Sequence, residues 1–250
     1  MKALITGASS GIGKEIAFEL ATLGYDLILV ARREDKLLEV KSKLNVNVDI
    51  IALDLSILEN VYKLFEVVKH ENVSIIINNA GFGYLGEFYK MDNNKIQNMI
   101  NLNVTAVTVL TKLFIEYFEN INGGYLLNVA SSAAFTNGPL MSEYYASKSY
   151  VYRLTLGVQE ELRQRKSKVK VSVLCPGPVE TEFDKNANVQ NSKKGLSARY
   201  VARYAIKKML KGKSIIIPGI KAKLGKFFAR FLSERTLSKI GYRFQSKKDR

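Results

Sequence analysis

The regular alternation of short apolar runs with longer amphipathic segments most restricts the fold available to this chain. Each run is rich in β-branched residues and nearly continuous in apolar character, which is typical of strands covered on both faces. The segments between the runs have helical spacing, as in residues 13–24, where Ile16, Leu20 and Leu23 share one face. This alternation predicts a doubly wound α/β fold, a parallel seven-stranded sheet with helices on both faces. The predicted strands are residues 2–6, 26–31, 49–53, 74–78, 125–130, 170–175 and 214–218.

Charge divides the chain near its C-terminal end. Residues 1–192 carry 20 Lys and Arg against 21 Asp and Glu, whereas residues 193–250 carry 18 against 2, so the net charge of +15 is local. We expect a main globular domain over residues 1–219 and a basic amphipathic helical extension over residues 220–250. Its apolar stripe consists of Leu224, Phe227, Phe228, Phe231 and Leu232.

Three uses of the extension compete. It could dock on the body as a lid or a subunit contact, lie in the surface of an anionic membrane, or attract nucleic acid. Docking ranks first and peripheral membrane contact second. The grouping of phenylalanines on one face argues against nucleic acid, because phosphate contacts do not use them.

Cysteine and histidine are too scarce for several kinds of site. Cys175 is the single cysteine and His70 the single histidine, so no intramolecular disulfide and no metal site built from several His or Cys ligands can form. We expect no metal, and a reducing cytoplasm as the compartment. No run approaches the roughly 18 apolar residues that a membrane span requires.

A glycine-rich loop follows the first strand and opens the first helix. Residues 6–13 read TGASSGIG. Such a loop allows the backbone to approach a pyrophosphate, which the free N–H groups and the positive end of the helix stabilise. We therefore expect this loop to bind a dinucleotide cofactor through Gly7, Ser9, Ser10, Gly11, Ile12 and Gly13.

The end of the second strand indicates which dinucleotide. An NAD site usually places an acidic residue here, whereas this chain has Arg32 and Arg33 after Ala31. A guanidinium can pair with a 2′-phosphate in a charge-assisted contact, so NADP(H) is favoured. The alternative is that both arginines pair only with Glu34 and Asp35 at the surface.

Six motifs in order along residues 1 to about 219 resemble the short-chain dehydrogenase/reductase family. They are TGASSGIG, Asp54-Leu55, Asn78-Asn79-Ala80-Gly81, Ser131, Tyr144-Tyr145-Ala146-Ser147-Lys148 and Pro176-Gly177. Within the family, NNAGFGYLGEF, CPGPVETEF and the IIPG run look most like the DltE-like branch. The resemblance implies a Rossmann fold, an oxidoreductase acting on a small-molecule carbonyl or secondary alcohol, and a homo-oligomer, dimer or tetramer. Family members usually pair through the helices that bear the asparagine and the tyrosine.

Tyr144 and Lys148 are four residues apart and would share one helical face. An ammonium beside a phenol favours the phenolate, so we expect a lowered pKa for Tyr144. In the family this tyrosine protonates the carbonyl oxygen and the lysine also binds the nicotinamide ribose. Tyr145, without a lysine four residues on, is the rival and is expected to pack or to line the substrate cleft.

The resemblance supplies the remaining site residues. Its spacing selects Ser131, with Ser132 as the fallback, to polarise the carbonyl, and Asn103, with Asn101 as the competitor, to hold a water in a proton relay. Asp54 would contact adenine, the alternative being a helix cap, and Val179 and Thr181 would bind the carboxamide, the alternative for Thr181 being a solvated loop. The other cofactor-binding positions are Leu55, Asn79, Ala80, Gly81, Pro176 and Gly177.

Loop aromatic residues suggest a lipophilic substrate, such as a 3-oxoacyl thioester or a steroid. The candidates are Phe82, Tyr84, Leu85, Phe88, Phe135, Leu140, Met141 and Phe183, some of which could merely close the core. Residues 183–195 are polar and could form a lid over the strand ends. The competing function is a catalytically silent NADP-sensing or membrane-associated protein on the same fold.

Overall fold

A computed structural model describes residues 1–189 and 195–247, and only the backbone of Lys185 and Asn186. The predicted lid at residues 183–195 therefore lies partly outside the described residues. Its first part forms a single short helix, α7 (Phe183–Asn186).

The central sheet is parallel and has seven strands, which confirms the predicted fold class. The strands are β1 (Lys2–Thr6), β2 (Asp26–Ala31), β3 (Val48–Ala52), β4 (Val73–Asn78), β5 (Gly124–Val129), β6 (Val169–Leu174) and β9 (Ile215–Ile216). Their order is β3-β2-β1-β4-β5-β6-β9, because the chain adds β2 and β3 on one side of β1 and then returns to place β4 on its other side. This reversal creates a crevice at the carboxyl ends of β1 and β4, where ligands bind in open α/β sheets.

Helices cover both faces of this sheet. They are α1 (Gly11–Thr22), α2 (Glu34–Lys41), α3 (Leu58–Val68), α4 (Asn93–Ile100), α5 (Val107–Asn120), α6 (Ser142–Gln164) and α8 (Ala198–Met209). One apolar cluster joins α1 and α8 to the sheet through residues such as Ile16, Leu20 and Ile206. A second joins α3, α5 and α6 to the sheet through residues such as Leu64 and Phe114.

The predicted strand positions agree with the observed strands to within a residue, except at the last one. Residues 214–218 were expected to form a strand, but only Ile215–Ile216 pair with β6. A separate two-stranded ribbon, β7 (Val179–Glu180) and β8 (Leu196–Ser197), was not predicted. Two-residue strands carry no measurable periodicity, so pattern reasoning cannot detect them.

The C-terminal extension contains two helices, α9 (Ile220–Ala229) and α10 (Glu234–Gln245). Ser233 ends the connection between them, because its hydroxyl accepts a hydrogen bond from the Thr236 amide and caps α10. Leu237 is buried, and Asn137 donates to both Glu234 and Ser238. The extension therefore docks on the body of the protein through α10.

The helical stretch Asn93–Asn120 is long and apolar enough to cross a membrane by length and composition. The expectation that the sequence contains no such stretch was therefore wrong. Met99, Leu110, Phe114 and Phe118 of this stretch are nevertheless buried in the protein interior. We interpret it as a core element of the fold.

Candidate active site

The glycine-rich loop between β1 and α1 leaves no room for side chains at Gly7 and Gly13. Gly7 has a positive φ of 67°, and a Cβ on Gly13 would lie 2.4 Å from the Gly7 carbonyl oxygen. Ser10, the N-cap of α1, makes no capping hydrogen bond with its side chain, so the first amides of the helix stay available to a ligand. These features fit a dinucleotide pyrophosphate.

Polar contacts fix this loop to the end of β4. The Thr6 hydroxyl accepts hydrogen bonds from the amides of Asn79 and Ala80, both at 3.0 Å. The Asn79 amide group in turn donates to the carbonyl oxygens of Thr6 at 2.9 Å and Gly7 at 3.1 Å. Asn79 thus holds the glycine loop in position. Thr6 was not among the expected site residues, although its place at the end of β1 could have indicated it.

Arg32 and Arg33 lie at the rim beside the glycine loop. Arg33 donates hydrogen bonds to Glu182 at 2.8 Å and to the Ser9 hydroxyl at 3.4 Å. Arg32 lies 3.7 Å from Asp54. The alternative of pairs with Glu34 and Asp35 is not what the structure shows.

Asp54 follows β3 and lines the same cavity. Burial on its own raises the pKa of this carboxyl group, but hydrogen bonds from Ser56 and the Arg32 guanidinium outweigh burial and hold the pKa below its usual value. Asp54 accepts from the Ser56 amide at 2.9 Å and the Ser56 hydroxyl at 2.7 Å. This turn fixes the carboxylate before α3 begins. Leu55 is buried and also lines the cavity.

These groups surround one cavity of about 910 Å³ at the carboxyl ends of the strands. It extends from the arginines to Tyr144 and Lys148, so most of the expected cofactor-binding and catalytic positions share one space, whereas Gly13 and Asn103 do not line it. The other expected residues that line it are Gly7, Ser9, Ser10, Gly11, Ile12, Ala80, Gly81, Pro176, Gly177, Val179 and Thr181. The Thr181 hydroxyl also accepts from the Phe183 amide at 3.2 Å.

Tyr144 lies in this cavity against Ser131. Phe183 packs on the Tyr144 ring, with 5.2 Å between the two ring centres. Burial raises the pKa of Tyr144 to about 12, although the neighbouring Ser131 side chain acts in the opposite direction. The expectation of a lowered pKa for Tyr144 was therefore wrong, because removal of the phenol from water outweighs any effect of Lys148.

Lys148 lies one helical turn after Tyr144, as predicted. Its Nζ is 5.8 Å from the centre of the Tyr144 ring and donates a 3.0 Å hydrogen bond to the carbonyl oxygen of Val129. Burial lowers the pKa of Lys148 to about 8. The amine is thus held near the phenol, but its hydrogen-bond acceptor is the Val129 carbonyl oxygen at the end of β5.

Ser131 is distinguished from Ser132 by its contacts. The Ser131 side chain is the one that acts to lower the pKa of Tyr144, and its hydroxyl accepts a hydrogen bond from the Ala133 amide at 3.1 Å. Ser132 lines the cavity as well, but its amide donates to the carbonyl oxygen of Pro176. The geometry therefore favours Ser131 as the serine that shares a reacting group with Tyr144.

Asn103 lies in a π-helix, Asn101–Ala106, between α4 and α5. Its amide group donates to the Phe82 carbonyl oxygen at 2.8 Å and to the Ser147 hydroxyl at 3.1 Å, and its carbonyl oxygen accepts from the Phe82 amide at 3.1 Å. A Cβ on Gly81 would lie 2.9 Å from Asn103 and 3.2 Å from the Lys148 amine. Asn103 is therefore packed beside the lysine, behind the cavity wall. Asn101, the competing choice, instead accepts from Gln97.

The C-terminal helix α10 contributes residues that the sequence did not reveal. Phe244 and Gln245 line the cavity, and Gln245 donates a 2.6 Å hydrogen bond to the Tyr145 hydroxyl. Within the described part of the chain, the carbonyl oxygen of Gln245 is buried without a hydrogen-bond partner. Tyr145 lines the cavity, as expected of the rival tyrosine.

The candidate substrate-contacting residues separate into several groups. Phe82, Met141 and Phe183 line the cavity. Tyr84, Leu85 and Leu140 border a smaller neighbouring cavity, and Leu85 is buried. Phe88 is exposed, and Phe135 packs edge-on against Tyr152 at 5.3 Å. Three of the eight candidates therefore line the cavity, and the alternative that some of them lie elsewhere applies to the rest, because loop position does not determine side-chain direction.

Cys175 takes no part in this site. It is fully buried at the end of β6, and burial raises the pKa of its thiol to about 12, so it is protonated at neutral pH. Among residues 1–189 and 195–247 there is no group of three or more His, Cys, Asp or Glu that could hold a metal ion.

A glycine loop at the reversal point of a doubly wound sheet, opening into a cavity with a serine, a tyrosine and a lysine, defines a class: oxidoreductases that bind a nicotinamide dinucleotide. The family model described as "short chain dehydrogenase" matches residues 1–192. The chain belongs to this short-chain dehydrogenase/reductase family.

Several curated relatives carry functional names. Over 76% of this chain's length, the chain is 31% identical to 17-beta-hydroxysteroid dehydrogenase type 3 of Mus musculus. Over 65% of this chain's length, it is 32% identical to the very-long-chain 3-oxoacyl-CoA reductase of Rattus norvegicus. These alignments span only 64% and 55% of the relatives' own lengths. Estradiol 17-beta-dehydrogenase 11 of Mus musculus is 30% identical over 98% of this chain and 84% of its own length.

Solved structures of the family superpose closely on the chain. A short-chain dehydrogenase from Sphingobium yanoikuyae in complex with NADPH has a TM-score of 0.83, with 27% identity over 92% of this chain and 93% of its own. A family member from Burkholderia phymatum in complex with NAD has a TM-score of 0.81, with 26% identity over 89% and 91%. Both nicotinamide cofactors therefore occur among the structural neighbours.

Proposed function

We propose that this protein is an NADP(H)-dependent reductase of lipophilic ketones that uses Tyr144, Ser131, Lys148 and Asn103. The observation that carries the proposal is that Tyr144 and Ser131 line, together with Lys148, the cavity that begins at the glycine loop. A carbonyl oxygen placed between these hydroxyls would be polarised by Ser131 and protonated by Tyr144. The bound nicotinamide supplies the hydride that completes such a reduction.

The protonated state of Tyr144 suits this residue to the role of proton donor in a reduction. With a pKa near 12, this phenol keeps its proton at neutral pH and is able to donate it. Oxidation of an alcohol needs the phenolate as a base, which burial disfavours. Lys148, near enough to stabilise charge on the phenol, would supply that stabilisation as the proton leaves.

Asn103 would act as a positioning residue. Its three side-chain hydrogen bonds join Phe82, which borders the cavity, to Ser147 on the helix of Tyr144 and Lys148. The water relay that the family resemblance implies for this asparagine is part of the proposal.

The preference for NADP(H) rests on charge at the rim. Arg33 contacts Ser9 of the glycine loop, and Arg32 lies beside Asp54, so both guanidinium groups flank the adenosine end of the cavity. The side chains are 68% and 45% exposed for Arg32 and Arg33, which leaves them accessible to a 2′-phosphate. Glu182 pairs with Arg33 and would compete with that phosphate.

The substrate proposal rests on the cavity wall and on the relatives. Phe82, Met141, Phe183 and Phe244 give the reacting end of the cavity an apolar lining. Relatives named for hydroxysteroid and 3-oxoacyl-CoA substrates favour the same class, a bulky lipophilic ketone such as a steroid or a 3-oxoacyl thioester.

For assembly and compartment we propose a homo-oligomer in the cytoplasm, with peripheral membrane contact confined to residues 220–250. The helices expected to pair, α5 and α6, pack side by side, and Tyr150 of α6 is exposed while its hydroxyl bonds to Thr108 of α5. This shared outer surface is available to a second copy.

The decisive experiment measures NADPH oxidation by the purified protein with 3-oxoacyl thioesters, steroid ketones and small diketones. Reduction of a bulky ketone that depends on Tyr144 supports the proposal. Tight NADPH binding without turnover of any class would favour the silent NADP-sensing protein. No binding of either cofactor would reject both functions.

A further inference from the structure

Helix α9 is docked on the protein by a narrow side that carries two alanines and one lysine. Ala222 packs against the buried cluster that contains Tyr152, and Lys226, one turn later, donates a 2.9 Å hydrogen bond to the Tyr152 hydroxyl. The Lys226 ammonium also lies 5.0 Å from the centre of the Phe135 ring. Two alanines and a lysine, Ala222, Lys226 and Ala229, are the only residues of α9 that are not exposed.

The opposite side of α9 is apolar and faces outward. Its residues follow the spacing i, i+4, i+7, i+8 and i+11, which places them on one helical face and the turn after it. The centre of the Phe227 ring lies 5.5 Å from that of Phe228 and 5.3 Å from that of Phe231, so the three rings form one exposed aromatic cluster. This α9 outer face consists of Ile220 (66% exposed), Leu224 (47%), Phe227 (53%), Phe228 (58%) and Phe231 (72%).

This orientation is the opposite of the one expected for a surface helix in water. A surface helix normally turns its apolar stripe toward the core and its lysines toward solvent. Here the lysine at the centre of the helix faces the protein, whereas three phenylalanines face out. A contiguous exposed apolar surface of this kind marks a site that contacts another apolar surface.

The charge around the α9 outer face indicates the nature of the surface that it contacts. Lys221, Lys223 and Arg230 are exposed on its flanks, and residues 220–247 contain eight basic residues and one acidic residue. A second copy of the same face would bring these like charges together. An anionic lipid surface would instead neutralise them while it accepts the phenylalanines.

We propose that the α9 outer face lies in the interface of an anionic lipid bilayer and attaches the protein peripherally. The phenylalanines enter the boundary between headgroups and acyl chains, and the flanking basic side chains contact lipid phosphates. The remainder of α9 stays attached to the protein through Lys226 and Tyr152. This proposal does not depend on the catalytic assignment, because no residue of the α9 outer face lines the active-site cavity.

A single introduced tryptophan can report on this contact, because the natural chain contains none. Phe231→Trp places the reporter in the α9 outer face. Tyr62→Trp is the matched control, since Tyr62 is 49% exposed on α3, over the half of the sheet away from β9. Vesicles of mixed phosphatidylcholine and phosphatidylglycerol should shift the tryptophan emission of the Phe231→Trp variant to shorter wavelength and leave that of the Tyr62→Trp variant unchanged.

Vesicle sedimentation tests which residues cause binding. Replacing Phe227, Phe228 and Phe231 with serine should reduce binding to the mixed vesicles by roughly tenfold or more. Replacing Leu58, Tyr62 and Val67 with serine removes as many exposed apolar residues from α3 and should leave binding unchanged. Replacing Lys221, Lys223 and Arg230 with glutamine should remove the preference for anionic over neutral vesicles.

Three outcomes would overturn the proposal. The first is that the wild-type protein does not bind anionic vesicles. The second is that the α9 and α3 serine variants bind equally well. The third is a wild-type dimer that the α9 serine variant converts to a monomer without any vesicle binding, which would make the face a subunit contact. NADPH-dependent ketone reduction and thermal unfolding, measured on every variant, separate these outcomes from misfolding and from failure of the catalytic proposal.

Discussion

Gln245 donates a 2.6 Å hydrogen bond to the hydroxyl group of Tyr145, and this bond joins the last turn of α10 to the helix that carries Tyr144 and Lys148. The C-terminal helix therefore forms part of the cavity wall. The two bonded residues are 100 positions apart, and Gln245 is 1% exposed.

The first prediction concerns this bond. We expect Gln245→Ala to raise the KM of bulky ketones by roughly fivefold, because a hydrogen bond of about 1 kcal/mol that holds α10 on the cavity is lost. The Kd for NADPH should not change. Steady-state kinetics with saturating NADPH measures the first effect, and fluorescence titration measures the second. Arg243→Ala, an exposed change on the same helix, is the control. Equal KM values for wild type and Gln245→Ala would contradict this role.

The second prediction concerns the proton donor. Tyr144→Phe removes the hydroxyl that faces the cavity beside Ser131 and should lower kcat by about 10²–10⁴, the usual contribution of a general acid. NADPH binding should persist, because the ring remains in place. Tyr150→Phe, on the exposed side of the same helix, should keep full activity. A Tyr144→Phe variant with wild-type kcat would refute the assignment.

The third prediction concerns pH and reaction direction. Because Tyr144 has a pKa near 12, only a small fraction is phenolate at neutral pH, and this fraction grows as pH rises. Initial rates of alcohol oxidation should therefore increase across the alkaline range, whereas rates of ketone reduction should not. Oxidation rates that are flat with pH would show that Tyr144 is not the base. Both profiles require a check that the protein stays folded.

The fourth prediction concerns the buried ammonium of Lys148. Burial lowers its pKa from 10.5 in the unfolded chain to about 8, so between these values the folded protein binds fewer protons than the unfolded one. Its contribution to the free energy of unfolding therefore rises with pH through that window. We expect the wild type to gain about 2–3 kcal/mol relative to Lys148→Met between about pH 7.5 and pH 10.5.

Chemical denaturation at each pH measures this difference, since other titrating groups are common to both proteins. Parallel stability curves for the two proteins would show that the lysine is not desolvated. Lys148→Met should also weaken NADPH binding and lower turnover, because the family uses this lysine for both.

The fifth prediction concerns cofactor choice. Arg33→Ala should raise the KM for NADPH by roughly tenfold or more and leave that for NADH nearly unchanged, since the lost contact is a charge-assisted bond to the 2′-phosphate. Glu182→Gln should lower the KM for NADPH, because a competing carboxylate is removed from Arg33. Lys36→Ala, which removes an exposed positive charge from α2, serves as the control. Equal effects of Arg33→Ala on both cofactors would reject NADP(H) specificity.

Local patterns were sufficient for much of the fold. The apolar runs predicted the strands, because both faces of a parallel sheet are covered. The six motifs in turn indicated that the site lies at the carboxyl ends of these strands. The spacing of Tyr144 and Lys148 was equally readable, since residues four apart meet on any α-helix. The glycine loop depends on backbone conformation at Gly7 and Gly13, which those residue types reveal directly.

The properties that depend on distant neighbours were not readable from the sequence. The pKa of Tyr144 rises instead of falling because the phenol is buried. That burial depends on every element around the ring, including Phe183 of α7. Likewise, periodicity showed that the extension is amphipathic but could not show that α9 would turn its phenylalanines outward while α10 reached Tyr145. The sequence by itself determined the elements and indicated the candidate reacting groups. The tertiary structure alone decided solvation and pairing, because both are set by contacts between residues far apart in the chain.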